Sequence, residues 1–218
     1  IKDMDAYREK LQSFVYASGS MMKPIMDAAK RARKKRVAYS EGEEERVLRA
    51  AQIVVDEGLA RPILIGRPDV IAQRIEKFGL RLRAGVNYDV VNVEQDDRYR
   101  DFWQTYHRMT ERKGVTESIA KIEMRRRLSL IGAMLLHKGD VDGMICGTWG
   151  TNPMHLNYID QVVGKRKGVN TFACMNGLML PGRQVFMVDT HVNYDPTAQQ
   201  LAEFTIMAAE EMRRFGIE

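Results

Sequence analysis

The clearest hydrophobic pattern in the chain is a short apolar strand that leads into an amphipathic helix. Val37–Tyr39 is the apolar run, Ser40–Gly42 is a tight polar turn, and apolar residues then recur at helical spacing over Val47–Val55. Ser40 is predicted to cap this helix, and Glu43–Glu45 are predicted to fill its first turn, where negative charge offsets the helix dipole. A strand that enters a helix in this way is the opening unit of an α/β sheet.

The same alternation of strands and helices continues along the chain. Further strands are predicted at Pro62–Ile65, Val90–Val93 and Val141–Cys146, and helices at Pro68–Phe78, Arg98–Thr110, Thr116–His137 and Met154–Val163. Gly132 interrupts the apolar half of the Thr116–His137 helix and is predicted to allow the close approach of a neighbouring element. The alternation predicts an α/β fold of three α/β/α layers with a mainly parallel sheet.

The two ends of the chain depart from this alternation. Helices are predicted before the first strand, at Asp5–Tyr16 and from Pro24 to Arg33. A β-hairpin is predicted around a Pro-Gly turn, between Thr171–Leu180 and Gln184–Asp189, and a helix follows over Thr197–Phe215. Asn176 interrupts the first hairpin strand; a buried amide there needs partners, and it is either structural or faces a ligand.

Two polar turns at the carboxyl ends of predicted strands are candidate ligand loops. In open α/β sheets ligands bind beyond these strand ends, and helix N-termini bind phosphate or carboxylate. The sequence leaves open whether each turn is a site or an ordinary connection. The candidate residues are Ser40, Glu41 and Gly42 after the first strand, and Thr148, Gly150, Thr151 and Asn152 after the fourth.

Composition excludes several functional classes. The 218 residues carry a net charge of +5, but the dense basic runs lie on predicted helices, so no nucleic-acid partner is expected. No apolar run is long enough to cross a membrane, and two separate cysteines in apolar runs favour the reducing cytoplasm. The four histidines show no metal-binding spacing, and there is no phosphate-binding P-loop. Because Ile1 is not an initiator methionine, the chain is expected to continue a longer polypeptide.

Four motifs in order resemble the phosphate acetyl/butyryltransferase family. Glu41–Ala51 is similar to its opening E-x-x-D-x-R-x-L-x-A-A motif, with Glu44 in place of the usual Asp, and Lys113–Thr116 is similar to its K-G-[IMV]-T turn. Val141–Gly147 matches its V-D-G strand, and Asn193–Thr197 matches the loop before a helix. The resemblance extends from about residue 36 to the end of the chain.

The resemblance is closer to one branch of that family, the carboxy-terminal module of multidomain bacterial malic enzymes. Its distinctive segments are Phe14–Pro24, Tyr39–Gln52, Ala133–Thr148 and Met207–Glu218. The resemblance implies that upstream malic and NADP-binding domains of the same polypeptide use NADP and a divalent metal, Mg or Mn, to decarboxylate malate oxidatively to pyruvate. It implies that this module has no cofactor of its own, binds acetyl-CoA as an allosteric inhibitor and supports a homo-oligomer.

The resemblance also implies a domain plan and a set of binding residues. Residues 1–35 are a helical connector, 36–147 a first transacetylase-like subdomain, and 148–218 the start of a truncated second one. Acetyl-CoA is predicted to contact the two candidate loops together with Arg112, Asn176 and Asn193. Arg108 is the alternative to Arg112 for the family's arginine before the K-G turn.

No catalytic residue is assigned to this module. Asn157 stands where active transacetylases carry a substrate-binding arginine, and the family's catalytic Ser-Arg and Asp lie beyond residue 218. Loss of that arginine costs about 1.5–3 kcal/mol per charged hydrogen bond to acetyl phosphate. Two alternatives stay open: a working phosphate acetyltransferase, and an oligomerisation scaffold without a ligand.

Overall fold

The computed structural model describes residue 4, residues 25–180 and residues 183–217, and its contacts divide the chain into two compact units. One unit is Ala32–Gly164; the other comprises Ile1–Arg31 and Lys165–Glu218. Helix α1 is described over residues 25–31. The predicted helix Asp5–Tyr16 lies outside the described residues. The domain boundaries expected from family resemblance stay predictions.

The Ala32–Gly164 unit is built on a four-stranded parallel sheet. The strands are β1 (Lys35–Tyr39), β2 (Ala60–Ile65), β3 (Asp89–Val91) and β4 (Gly143–Ile145), in the order β3-β2-β1-β4. The helices between and after them are α2 (Glu45–Asp56), α3 (Pro68–Lys77), α4 (Tyr99–Thr110), α5 (Glu117–Arg126), α6 (Leu128–His137) and α7 (Asn152–Val162). The prediction of an α/β fold with a parallel sheet is confirmed.

Alternate strand residues enter two separate hydrophobic cores. Ala38 and Ile63 pack in a core with the apolar residues of α4, α5 and α6, whereas Tyr39 and Leu64 pack in a core with α2 and α3. Successive strand side chains point to opposite faces, so one helical layer covers each face of the sheet. This arrangement is the predicted three-layer architecture.

The helix predicted over Thr116–His137 is instead two helices, so that prediction is wrong. Arg127, between α5 and α6, has extended backbone angles of φ −104 and ψ 92. The two segments differ in burial, because α5 keeps an exposed face while α6 is buried from Ser129 to Leu135. Beyond the break, α6 contacts β4 and α7, and its first residues line a cavity together with residues of α7.

The start of α2 also differs from the prediction. Glu44, not Ser40, is the N-cap, and its carboxylate accepts hydrogen bonds from the amides of Arg46 at 2.6 Å and Val47 at 3.2 Å. The helix begins later than predicted because the turn first docks on β2, where Gly42 N donates to Ile65 O at 3.1 Å.

The predicted close approach at Gly132 is confirmed. A Cβ atom there would lie 2.9 Å from Ser40 Oγ and 3.1 Å from Met144 Cε. Both distances are tighter than ordinary carbon contacts. Gly132 therefore lets α6 lie against the ends of β1 and β4.

The second unit contains the predicted hairpin and the last helix. β5 (Met175–Leu180) pairs antiparallel with β6 (Arg183–Val188), and α8 (Ala198–Arg214) begins at a capping box formed by Thr197 and Gln200. The hairpin is confirmed, although the Pro181–Gly182 turn lies outside the described residues. Asn176 is exposed, so the prediction of a buried amide is wrong. Among the described residues, β5 pairs with β6 alone, and the middle residues of β5 are exposed. Among the described helices, none is both long and apolar enough to cross a membrane.

Asp189 follows β6 and ties the hairpin to the loop before α8. Its carboxylate accepts hydrogen bonds from Cys174 N at 2.9 Å and from both the backbone and side-chain nitrogens of Asn193 at 2.6 Å. Burial alone would raise the pKa of Asp189, but these hydrogen bonds outweigh it and lower the pKa to about 2. A carboxyl whose pKa is depressed on folding stabilises the folded state at a pH above its unfolded pKa.

We therefore expect the stabilising contribution of Asp189 to be complete at neutral pH and to disappear as the pH falls from about 4 to about 2. Urea unfolding at several pH values, on wild type and Asp189→Asn, measures it. The variant should be the less stable protein at pH 7, and the difference should shrink as the pH falls. A stability difference that is constant over this range would contradict the assignment.

Candidate functional site

A cavity of about 280 Å³ opens in the Ala32–Gly164 unit where the turn after β1, the loop after β4 and the N-termini of α6 and α7 meet. Its wall combines charged and polar residues with apolar and aromatic ones. The lining residues are Glu41, Arg126, Arg127, Leu128, Ser129, Trp149, Gly150, Met154, His155 and Tyr158. A volume near the lower end of the range for small-molecule pockets suits a compact ligand or one end of a longer ligand.

The two loops predicted to form a site lie side by side. β1 and β4 are parallel neighbours, and Ser40 N donates to Ile145 O at 2.9 Å where these strands end. Glu41 is 4% exposed, and its Oε1 accepts a hydrogen bond from Gly147 N at 3.1 Å. This bond ties the first loop to the second and leaves the buried carboxylate in the cavity wall.

The second loop needs glycine at position 150. Gly150 has φ +97, a conformation that other residues rarely adopt, and a Cβ atom there would lie 3.2 Å from His155 Nε2 and closer still to Met154. The loop can therefore fold tightly over the start of α7.

His155 links the loop to α6 through two short hydrogen bonds. Its Nε2 lies 2.7 Å from the carbonyl oxygen of Trp149, and its Nδ1 lies 2.6 Å from Ser129 Oγ. A carbonyl oxygen only accepts, so Nε2 carries a proton, and in the neutral imidazole Nδ1 then accepts from the serine hydroxyl. Both side chains are buried, yet both line the cavity.

Cys146 lies beside this pair. Burial raises the pKa of the Cys146 thiol, against the opposing effect of a hydrogen bond with Ser129, and the carboxylate of Glu41 raises it further. The thiolate is the reactive form of cysteine, so this thiol is a weak nucleophile near neutral pH.

The mouth of the cavity is basic. Arg126 is exposed and has no ion-pair partner within the described part of the chain, and Arg127 Nη1 lies 3.8 Å from Met154 Sδ. No side chain caps the N-terminus of α6 or of α7. Helix N-termini and arginines both attract anions, so this side of the cavity suits a phosphate or carboxylate group.

A shared carboxylate holds the part of the wall that Tyr158 contributes. Tyr158 and Tyr106 each donate a hydrogen bond of 2.9 Å to Glu123, and these residues come from α7, α4 and α5. Burial, aided by the charge of Glu123, raises the pKa of Tyr158 to about 12, so its hydroxyl remains a donor. The bonds fix α7 against the other two helices.

The other predicted residues of this unit do not line the cavity. Ser40 is fully buried against Gly132, and its Oγ has no hydrogen-bond partner among the described residues. Arg112 is exposed in a short 3₁₀ segment. Among the described residues, Gly42, Thr148, Thr151 and Asn152 flank the lining residues in the two loops without entering the wall themselves.

The two predicted asparagines belong to the second unit. Asn176 accepts a contact from Cys174 Sγ at 3.7 Å. Asn193 donates to Phe172 O at 2.8 Å and to Asp189 at 2.6 Å, which is a structural role in its loop. That any predicted residue binds acetyl-CoA stays a prediction.

Several lining residues are not among those predicted from the sequence. Ser129 had a signal, since it is a single hydroxyl within an otherwise apolar helical run, and buried polar groups need partners. His155 follows the Asn-Pro start of α7 but has no metal-binding spacing, and Arg126 resembles the solvated charges of a helix face. Their convergence depends on the helix break at Arg127, which the apolar pattern concealed.

Comparison with known proteins finds one family match over most of the chain and relatives that are similar along its whole length. The sequence pattern of the family described as phosphate acetyl/butaryl transferase matches residues 20–218. The NADP-dependent malic enzyme of Salmonella typhimurium is 48% identical over 218 residues, covering 100% of this chain and 29% of that protein. The NAD-dependent malic enzyme of Rhizobium meliloti is 46% identical over 217 residues, covering 100% of this chain and 28% of that protein.

A solved structure supports the fold. A phosphotransacetylase from Streptococcus pyogenes aligns with a TM-score of 0.79 and 24% identity, covering 91% of this chain and 59% of that chain.

The chain spans less than a third of the length of the two malic enzymes that it matches. Within the described residues, no group of three or more His, Cys, Asp or Glu side chains converges as a metal site.

Proposed function

Because the chain belongs to the phosphate acetyl/butaryl transferase family, we propose that it is a regulatory module of NADP-dependent malic enzyme that binds acetyl-CoA as an allosteric inhibitor. The upstream malic and NADP-binding domains of the same polypeptide would decarboxylate malate oxidatively to pyruvate with NADP and Mg or Mn. The module would itself hold no cofactor and would support a cytoplasmic homo-oligomer. Similarity to malic enzymes along the entire chain supports the first part of this proposal.

The observation that carries the ligand assignment is the cavity with a basic mouth. A CoA thioester has a phosphorylated nucleotide at one end and a small acyl group on a narrow arm at the other. Arg126, Arg127 and the uncapped helix N-termini suit the anionic groups, and the 280 Å³ cavity suits the acyl end.

One position of the family pattern, on α7 but outside the cavity wall, lacks a charge for handling acetyl phosphate. Asn157 is exposed on α7 and accepts a hydrogen bond from Gln161 at 3.2 Å, where the family resemblance expects an arginine. A neutral amide binds a phosphoryl group more weakly than a guanidinium does. This supports effector binding without acyl transfer to phosphate.

Isothermal titration calorimetry of acetyl-CoA into the full-length protein tests the proposal. We expect saturable binding of acetyl-CoA with one site per chain. CoA without the acetyl group is titrated as the comparison ligand. No heat of binding for acetyl-CoA at micromolar to millimolar concentration would reject the effector assignment and leave the ligand-free scaffold.

A working phosphate acetyltransferase is the second candidate, favoured by the structural similarity to a phosphotransacetylase. A coupled assay that follows acetyl-CoA formation from acetyl phosphate and CoA distinguishes it. Turnover by the full-length protein would favour this candidate, whereas binding without turnover would favour the regulatory module.

A further inference from the structure

The buried pair Ser129 and His155 has the arrangement of an activated nucleophile. The serine oxygen lies 2.6 Å from Nδ1, and the other ring nitrogen is fixed by Trp149 O at 2.7 Å. A nucleophile within hydrogen-bond reach of a base, with that base oriented by a third group, is the general signature of covalent catalysis by serine. We propose that Ser129 is a nucleophile activated by His155 and that the cavity hydrolyses an acyl thioester, a substrate class that rests on the proposed acetyl-CoA ligand.

The surroundings of the pair favour chemistry over a purely structural bond. Both residues line the cavity, so an acyl group bound there would lie next to the pair. Ser129 is the second residue of α6, whose N-terminus no side chain caps. The positive end of this helix stabilises an oxyanion that forms at the serine.

The competing nucleophile is less suited to the reaction. Cys146 lies beside the serine, but burial raises the pKa of its thiol and keeps it protonated. Trp149 and Met154 supply apolar walls for the acyl group and its thioester arm.

The reaction balances with water as the second reactant. Ser129 Oγ attacks the acyl carbonyl carbon and passes its proton to His155 Nδ1. The C–S bond breaks, and the thiolate takes that proton and leaves as a thiol. Water then attacks the serine ester and gives a proton to Nδ1, and Oγ leaves with that proton. One thioester and one water thus give a carboxylic acid and a thiol.

The experiment uses the full-length protein and two probes. A fluorophosphonate, located by peptide mass spectrometry, reports a nucleophilic serine, and the acetyl thioester of N-acetylcysteamine reports hydrolysis without the nucleotide of CoA. The variants are Ser129→Ala, His155→Gln, which keeps a donor for Trp149 O, and Ser118→Ala, an exposed serine on α5 as the matched control. Urea unfolding confirms that each variant is folded.

We expect label on Ser129 and thioester hydrolysis in wild type and Ser118→Ala, and loss of both in Ser129→Ala. His155→Gln should lower hydrolysis by about 100-fold or more, the usual effect of losing a general base. Absence of label on Ser129, or equal hydrolysis by wild type and Ser129→Ala, overturns the proposal. Calorimetric binding of acetyl-CoA to Ser129→Ala, which should not hydrolyse the thioester, is a separate readout, so failure of the ligand assignment is recognised independently.

Discussion

Replacing Gly42 by alanine should lower the free energy of unfolding by about 1–3 kcal/mol, the usual cost of overpacking, and should disrupt the turn that carries Glu41. A Cβ atom at Gly42 would lie 2.8 Å from both the backbone nitrogen and the backbone oxygen of Ile65, and 2.9 Å from Leu64 Cβ. Backbone atoms in a sheet cannot rotate away as a flexible side chain can. The turn would have to leave β2 and lose the Gly42 N to Ile65 O hydrogen bond.

Urea unfolding of Gly42→Ala measures this effect, and Gly143→Ala is the matched control. Gly143 lies in β4 of the same sheet, and a Cβ atom there would meet nothing within 4 Å. The control should remain close to wild type. Equal stability of both variants would show that the turn after β1 does not dock on β2 as described.

Removing the guanidinium of Arg126 should weaken acetyl-CoA binding by roughly 10- to 150-fold, since a hydrogen bond to a charged group is worth about 1.5–3 kcal/mol. Arg126 lines the cavity mouth and has no ion-pair partner among the described residues, so Arg126→Ala breaks no ion pair seen there. Calorimetric titration of the variant measures the affinity, and the stability should change little.

Arg100→Ala is the control for the loss of one positive charge. Arg100 is exposed on α4 and is not among the cavity-lining residues. An equal loss of affinity in both variants would indicate general charge attraction in place of a contact at the cavity. Raising the salt concentration should weaken only the part of the binding that arises from such screened attraction.

The strands and most helices could be predicted because local pattern determines them. β1, β2 and the hairpin strands alternate with turn residues, and α8 begins at a readable capping box. The break at Arg127 could not be predicted, since an extended residue between two good helix formers leaves no trace in composition. It depends on how α5 and α6 pack separately on the rest of the unit.

The site could be predicted only where the order of the strands along the chain determines which loops lie next to each other. Parallel neighbouring strands bring the loops after β1 and β4 together, so two of the predicted site residues, Glu41 and Gly150, line one cavity. Ser129 and His155 lie 26 residues apart, and their contact depends on the direction of two helices. The prediction that Ser40 caps α2 is wrong because the turn contacts β2 at Gly42 before the helix begins.

The central claim is that acetyl-CoA bound to this module inhibits malate oxidation elsewhere in the polypeptide. The most direct measurement is the steady-state rate of NADP reduction by the full-length protein with malate and Mg, as acetyl-CoA is increased. We predict saturable inhibition that Arg126→Ala shifts to higher acetyl-CoA concentrations, with malate and acetyl-CoA weakening each other's binding by the same factor. A rate that does not change at acetyl-CoA concentrations that calorimetry shows to be saturating would contradict the claim.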